Sequence, residues 1–471
     1  MLQTVDVGNR SLSAYRGVAL DTTLDELVSA AEPLRDLRVL HLSATPYGGG
    51  VAELLRSLVP LLNDLGLAVD WRVISGDESF FKVTKQLHDA LQGADTEISD
   101  DERATYQAVS VKNAAELVDE YDVVVVHDPQ PAGIRQVHGA GDARWIWRCH
   151  IDTSEPSSEA WDFLRPFLAD YDAAVYTMDA FLPPDLPVPH VEVVPPAIDP
   201  LSPTNLTLRL RTAREVLSWI GIELDQPLVT QVARFDPWKD PLCVIEAYCL
   251  VRDSFPDLQL ALAGSMALDD PDAWEIHREI KKQSEKEPLI HVFTNLTGVG
   301  NVEVNALQRL SQDCIQKSIR EGFGLVVSEA LWKRTPVVAG RAGGIPLQMA
   351  DGAGGVLVES VEECATAVAE LLADRERAQA LGEAGRERVR EHFLLPRLLL
   401  NEVGLLATIA QRRPPGDEWR DPVCGIVLAE PTGGTEDVEG TSWGFCSERC
   451  RKRFRESPER YAPPFASRSL G

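Results

Sequence analysis

The stretch RVLHLSATPYGGGVAELLRSLVPLL, residues 38–62, passes from a largely apolar run through three glycines into an amphipathic helical pattern. An apolar run that does not alternate suits a strand covered on both faces of a parallel sheet, and a short turn into a helix is how such a sheet continues. Gly48, Gly49 and Gly50 together cost chain entropy on folding. The segment is therefore expected to need positive φ angles or the close approach of a ligand, unless it is simply a tight strand-to-helix turn. It has neither G-x-G-x-x-G nor the lysine of a Walker loop, so these residues alone leave phosphate binding and a structural turn both open.

The same alternation continues outward. RVLHLSA, WRVIS, YDVVVVHD, RWIWRCHID, AAVYTM and VEVVPPAID are apolar runs separated by helical or loop segments. After SPTNLTLRLRTAREVLSWIGIELDQ a second series follows: PLVTQVARFD, LQLALAGS, LIHVFTN, DCIQKS, TPVVAG and GGVLVE. The pattern predicts an α/β protein with two doubly wound Rossmann-like domains, 1–200 and 201–413, facing a cleft. The last helices of the second are allowed to cross back onto the first. The break PPGDEW then opens a small cysteine-containing C-terminal domain, 414–471.

The 471 residues carry 46 basic and 73 acidic side chains, a net charge of −27. That charge opposes nonspecific binding to nucleic acid and anionic membranes, so an anionic ligand must be held locally. The beginning, MLQTVDVGNRSLSAYRG, lacks the pattern of a secretory signal, and no apolar run reaches the length of a membrane span; the chain reads as cytoplasmic. Five of the eight cysteines are scattered, whereas Cys424, Cys446 and Cys450 fall close together near the end.

In open α/β sheets ligands sit beyond the carboxyl ends of the strands, where helix N-termini offer N–H groups to anions. VARFDPWKDP places Arg234 and Lys239 after a strand, a fork donor and a point cation suited to a diphosphate; two solvated loop cations are the plain alternative. SIREGFGLVVSEALWK, residues 318–333, sets Glu321 and Glu329 eight apart, with Gly322, Phe323 and Gly324 at a helix start. One carboxylate can reach a sugar and the other, about two turns along, a ribose diol. His127 and Asp128 in VVVHDPQP, and His150 and Asp152 in RCHID, sit at predicted strand ends. A lone histidine is more often structural, but two His/Asp pairs at strand ends favour the cleft. The D-x-D at Asp170 and Asp172 is read as the start of a strand, and Trp145, Trp147 and Trp161 mainly as core.

These motifs resemble the retaining, nucleotide-sugar-dependent glycosyltransferases of the GT-B fold, whose E-x7-E motif is similar to Glu321 through Glu329 and whose phosphate-binding Arg and Lys match Arg234 and Lys239. Within that class, GGGVAELLRSLVPLL, FFKVTKQLHDALQG, VVVHDPQP, RCHID and SIREGFGLVVSEALWKRTPVVAGRAGGIPLQ resemble the trehalose glycosyltransferring synthases over roughly residues 35–410. Trehalose phosphorylases share much of this. The resemblance implies synthesis of α,α-trehalose from a nucleoside diphosphate glucose and glucose. Its alternatives are trehalose phosphorylase and, from another class, a sugar or metal sensor on a GT-B shell.

It implies that Glu321, Arg234, Lys239 and His150 act at the reacting centre. Gly48, Gly49, Gly50, Gly322, Phe323, Gly324 and Glu329 would hold the donor and nucleotide, and His127, Asp128 and Asp152 the acceptor. The class proceeds by front-face displacement, which gives no covalent nucleophile and needs no cofactor for transfer. The nucleobase, the direction of reaction and a homo-oligomeric state stay open.

The end of the chain resembles the YHS domain through DPVCG, FCSERC, RF and SPERY. That resemblance implies zinc or another soft metal on Cys424, Cys446 and Cys450. SWGFC departs from the usual pattern, which has a tyrosine two residues before the phenylalanine, and no histidine follows residue 392 to serve as a fourth ligand.

Overall fold

The computed structural model describes residues 2–458 apart from 48, 119, 140, 184, 267–270, 411–418, 424–426, 429, 430, 432, 439, 440, 446 and 457. The first sheet contains β1 (Gln3–Thr4), β2 (Arg38–Ser43), β3 (Ala68–Val73), β4 (Val123–His127), β5 (Arg144–Arg148), β6 (Ala173–Tyr176) and β7 (Val191–Val193). They lie in the order β1-β3-β2-β4-β5-β6-β7, parallel except for β1 on the edge. The second sheet contains β8 (Leu228–Val232), β9 (Gln259–Gly264), β10 (Ile290–Thr294), β11 (Asp313–Gln316), β12 (Val337–Gly340) and β13 (Gly355–Val358). All are parallel, in the order β10-β9-β8-β11-β12-β13. In each sheet the connections leave the first parallel strand in opposite directions, so a crevice opens at β2/β4 and at β8/β11.

Apolar side chains at successive positions fill both sides of the first sheet. Leu40, Leu42, Val124, Val126, Trp145 and Trp147 face one core, and Val39, Val123, Val125 and Ile146 the other. This two-sided burial is why the strands read as continuous apolar runs rather than alternating ones.

The second core is completed from the far end of the chain. The helix Leu395–Ala410 contributes Leu398, Leu399, Val403 and Leu406 to it and so packs on the first domain. The crossing is pinned by backbone bonds from Ile198 N to Phe393 O and from Leu395 N to Ile198 O, both 2.9 Å. The tail has antiparallel pairs Trp419–Arg420 with Val427–Leu428 and Thr435–Val438 with Thr441–Gly444, then the helix Glu448–Glu456. The rings of Phe445 and Phe454, 5.1 Å apart, are its buried centre. No helix among the described residues is long and apolar enough to cross a membrane.

One ionic contact ties the returning helix to the sheet. Arg148, at the end of β5, bonds Glu402 with the two side chains 3% and 1% exposed. Removing one partner of such a pair strands a buried charge. Glu402→Ala is expected to destabilise the protein by about 3–5 kcal/mol in denaturant unfolding, and Arg148→Met/Glu402→Leu by clearly less. A single-variant loss under about 1 kcal/mol would mean the pair is solvated like a surface bridge.

Candidate active site

On the second domain the loop after β8 is shaped by Asp236, whose carboxylate accepts from Trp238 N at 3.0 Å and Lys239 N at 3.2 Å. Gln231 donates to Lys239 O at 2.8 Å, which fixes the other side of the turn. The Lys239 ammonium then meets Glu321 Oε1 at 2.8 Å, both side chains largely shielded. Arg234 lies at the rim with its side chain 69% exposed, paired to Asp236 at 3.0 Å.

Glu321 follows β11 in a loop held from all sides. Ser318 Oγ donates to Glu321 Oε2 at 3.2 Å, and Gln316 donates to Ser318 at 3.1 Å. Gly324, at φ +79°, turns the chain into the helix Leu325–Trp332. A Cβ at Gly343 would lie 1.9 Å from Glu321 O, so only glycine fits where the loops after β11 and β12 touch. The Gln348 amide donates to Phe323 O at 2.5 Å, while its oxygen accepts from Ser328 Oγ at 2.6 Å. Phe323 itself is buried against Phe393 and contributes its backbone to the loop, its ring to the core.

The first domain supplies the facing wall. Gly49 has φ +79°, and a Cβ at Gly50 would lie 3.8 Å from Leu325 Cδ1, so the glycine turn meets the start of the helix that carries Glu329; Gly48 lies outside the described residues. Partial desolvation and the charge of the Glu329 carboxylate push the Glu53 carboxyl up, although its side chain still reaches solvent. Gln308 reaches Glu329 Oε2 at 3.4 Å. Across from Glu321, His150 O would stand 3.5 Å from a Cβ at Gly322, so bare backbone on the second domain lets the first approach.

The histidines form a chain. His41 Nδ1 lies 2.9 Å from His127 Nε2, and His127 Nδ1 lies 3.0 Å from His150 Nε2. Burial, seconded by Arg148, pushes His41 down to about 3. Burial and the neighbouring histidines hold His127 well below its ordinary value, and burial takes His150 down to about 4 against the opposing pull of Asp128. Asp128, at φ +63°, clips the site together by accepting from His150 N at 2.8 Å.

The structure thus brings together Glu321, Lys239, His150, Asp128, Gly49, Gly50, Gly322, Gly324 and Glu329. His127 is 2% exposed with both ring nitrogens engaged, so it stands behind His150 rather than lining the cleft. Asp152 turns onto Ser154, accepting from its N at 3.0 Å and its Oγ at 2.6 Å. Asp172 bonds Arg144 at 3.0 Å and Trp145 N at 2.8 Å within the sheet, and Trp145, Trp147 and Trp161 are core. His41 and Gly343 were not anticipated, although a histidine inside the apolar run of β2 was a visible anomaly. Cys424 and Cys446 lie outside the described residues, and among those described no group of three or more His, Cys, Asp or Glu can hold a metal.

Two doubly wound sheets sharing a cleft, with a lysine–glutamate pair on one wall and a histidine on the other, define a GT-B glycosyltransferase. Residues 41–183 match the trehalose synthase N-terminal domain, 217–388 the glycosyl transferases group 1 and 419–464 the YHS domain. The trehalose synthase of Rubrobacter xylanophilus is 50% identical over 414 residues, 87% of this chain and 99% of that protein. That of Thermococcus litoralis is 41% identical over 84% of this chain and 97% of that protein. Trehalose phosphorylase of Pleurotus pulmonarius is more distant, 30% identical over 75% of this chain and 55% of that protein. The E. coli trehalose-6-phosphate structure bound with UDP-2-fluoro glucose shares the fold at TM-score 0.65 and 14% identity, over 80% of this chain and 100% of that one. The chain belongs to the trehalose synthase family, the trehalose-forming branch of these glycosyltransferases.

The buried histidines make stability depend on pH. Each gains a proton in the unfolded chain below about 6.5, whereas the folded protein refuses it until about 4 or lower. Stability is therefore full above pH ~6.5 and falls as the pH drops, by up to about 1.4 kcal/mol per pH unit for each histidine. Urea unfolding at pH 7.5 and 5.5 checks this; His41→Phe removes one titrating group and should make the fall shallower, and an unchanged slope would contradict the assignment.

Proposed function

We propose that this glycosyltransferase moves glucose from a nucleoside diphosphate glucose to free glucose, giving α,α-trehalose with retention, in a reversible reaction. The observation that carries this reading is the Lys239–Glu321 pair, a cation and a carboxylate 2.8 Å apart where the strand ends of β8 and β11 meet the first domain. Lys239, with Arg234 at the rim, neutralises the charge that builds on the departing diphosphate. Glu321, oriented by Lys239 and Ser318, accepts from hydroxyls of the donor glucose. Glu329 takes the ribose diol, and the glycine backbones at 49–50 and 322–324 come close to the phosphates and sugar without side chains in the way.

No carboxylate is assigned as a covalent nucleophile. Glu321 already accepts from an ammonium and a hydroxyl. The displacement proceeds on one face: the acceptor oxygen forms the new bond to the anomeric carbon, the bond to phosphate breaks, and the acceptor proton passes to the leaving phosphate oxygen. Asp128 and Asp152 belong to the acceptor side, and a cytoplasmic setting, where nucleotide sugars are made, accords with the substrates.

The three tail cysteines have the chemistry for zinc or another soft metal, with Cys450 on the helix Glu448–Glu456. Elemental analysis of the full chain should find metal that Cys446→Ser/Cys450→Ser loses; equal content in both proteins would exclude those ligands.

Product analysis decides the reaction. Glucose with UDP-, ADP- or GDP-glucose is expected to give trehalose, and Glu321→Gln to lower turnover by about 10²-fold or more with folding intact. Trehalose from glucose 1-phosphate alone would reassign the protein to the phosphorylases, and wild-type turnover in the variant would remove Glu321 from the site.

A further inference from the structure

A neutral imidazole has one N–H and one bare nitrogen, and which is which follows from its hydrogen bonds. His41, His127 and His150 are hydrogen-bonded in series, and burial keeps all three neutral. Two such bonds between neutral rings admit only two arrangements. In the first, His41 Nδ1–H donates to His127, His127 Nδ1–H donates to His150 Nε2, and His150 carries its own proton on Nδ1. In the second every donor is reversed, His150 presents a bare nitrogen, and His41 carries its proton on Nε2.

The far end of the chain selects between them. His41 is 0% exposed and its Nε2 has no hydrogen-bond partner among the described residues. The second arrangement would bury an N–H there with no acceptor, which forfeits its hydration without replacement and is rare in folded proteins. The Arg148 guanidinium, paired with Glu402, acts on all three rings and so does not choose between the two arrangements; the buried, unpartnered His41 Nε2 does. The Asp128 carboxylate attracts a proton to His150 in either arrangement, so the direction of the chain is set at His41 Nε2. With no acceptor beyond His41 Nε2 it is no proton wire; it is a line of aligned dipoles, each bond polarising the next.

The geometry points to His41 and His127 as positioning residues that hold His150 in its Nδ1–H form, so that one fixed donor is offered to the donor sugar or its leaving phosphate. This rests on the proposed reading of the cleft, but its decisive readout does not. In long-range proton–nitrogen spectra of the full chain with nitrogen-15 histidine, assigned by single substitutions, His150 is expected to carry its proton on Nδ1 and none on Nε2 at pH 7. A proton on Nε2, or on both nitrogens, would overturn the inference whether or not the enzyme makes trehalose. The expected tautomer without any product would leave the inference standing and sink the assigned reaction.

His41→Asn tests the role of the far end, because its amide either donates or accepts at the place of Nδ1 and so releases the direction. Expected are a mixture of the two His150 tautomers and a fall in kcat of about twofold or more, in proportion to the lost Nδ1–H form. An unchanged His150 signal with lower stability alone would show that His41 merely fills space. Should that variant not fold, His150→Asn, whose amide replaces Nδ1, is expected to retain more kcat/KM than His150→Gln, whose amide replaces Nε2; the reverse order would refute the fixed donor.

Discussion

A guanidinium that cannot reach water lies under the catalytic wall of this protein, and the arrangement around it follows from keeping it neutralised. Arg148 finds its counter-ion in Glu402, 254 residues away on the returning helix. The pair fastens the returning helix to the first sheet at β5, the strand whose next residues form the cleft. It also places a positive charge where it disfavours protonation of the histidines. Burial of an ion pair contributes little net stability, but it makes any arrangement that separates the partners expensive. The result is a first domain whose core is closed by a helix from the second half of the chain.

The glutamates and glycines of the second domain solve a different problem. A carboxylate and an ammonium can be useful in a cleft only if they do not collapse into a solvated loop. Here Asp236 and Gln231 fix the lysine turn, while Gln316, Ser318 and the glycine contact at 343 fix Glu321. Both strand ends belong to the switch point of the sheet, so local hydrogen bonds decide the orientation and topology decides the place. A chain of net charge −27 thereby keeps a local cation in a fixed place at the cleft.

What could be read in the sequence divides along the range of the interactions. The apolar run of β2, the glycine turn after it and the spacing of Glu321 and Glu329 are local patterns, and each is visible within about a dozen residues. The partnership of His41 with His127 spans 86 residues and depends on β2 lying beside β4, so a histidine in an apolar strand showed only as an anomaly. His127 was expected on the acceptor side because it ends a strand beside an aspartate. The pleat instead turns it inward to bridge two other rings. Phe323 sat in a motif full of ligand-facing backbone, yet its own ring completes the core. In both cases the position of the backbone was legible and the direction of the side chain was not, because packing partners far along the chain set it.

The two walls approach with a glycine on one side of each contact, Gly50 against the Leu325 side chain and Gly322 against His150 O, so sterics allow the domains to draw together. Charge works against this, since the Glu53 and Glu329 carboxylates repel one another. A ribose hydroxyl pair between them would replace a carboxylate–carboxylate repulsion with hydrogen bonds, and a diphosphate would meet the cation on the opposite side of the cleft. Ligand binding can shift a domain equilibrium only by its difference in affinity between the two states. Groups that repel in the empty cleft and would share the hydroxyls of a bound nucleotide supply such a difference, and it would couple closure to recognition of the donor.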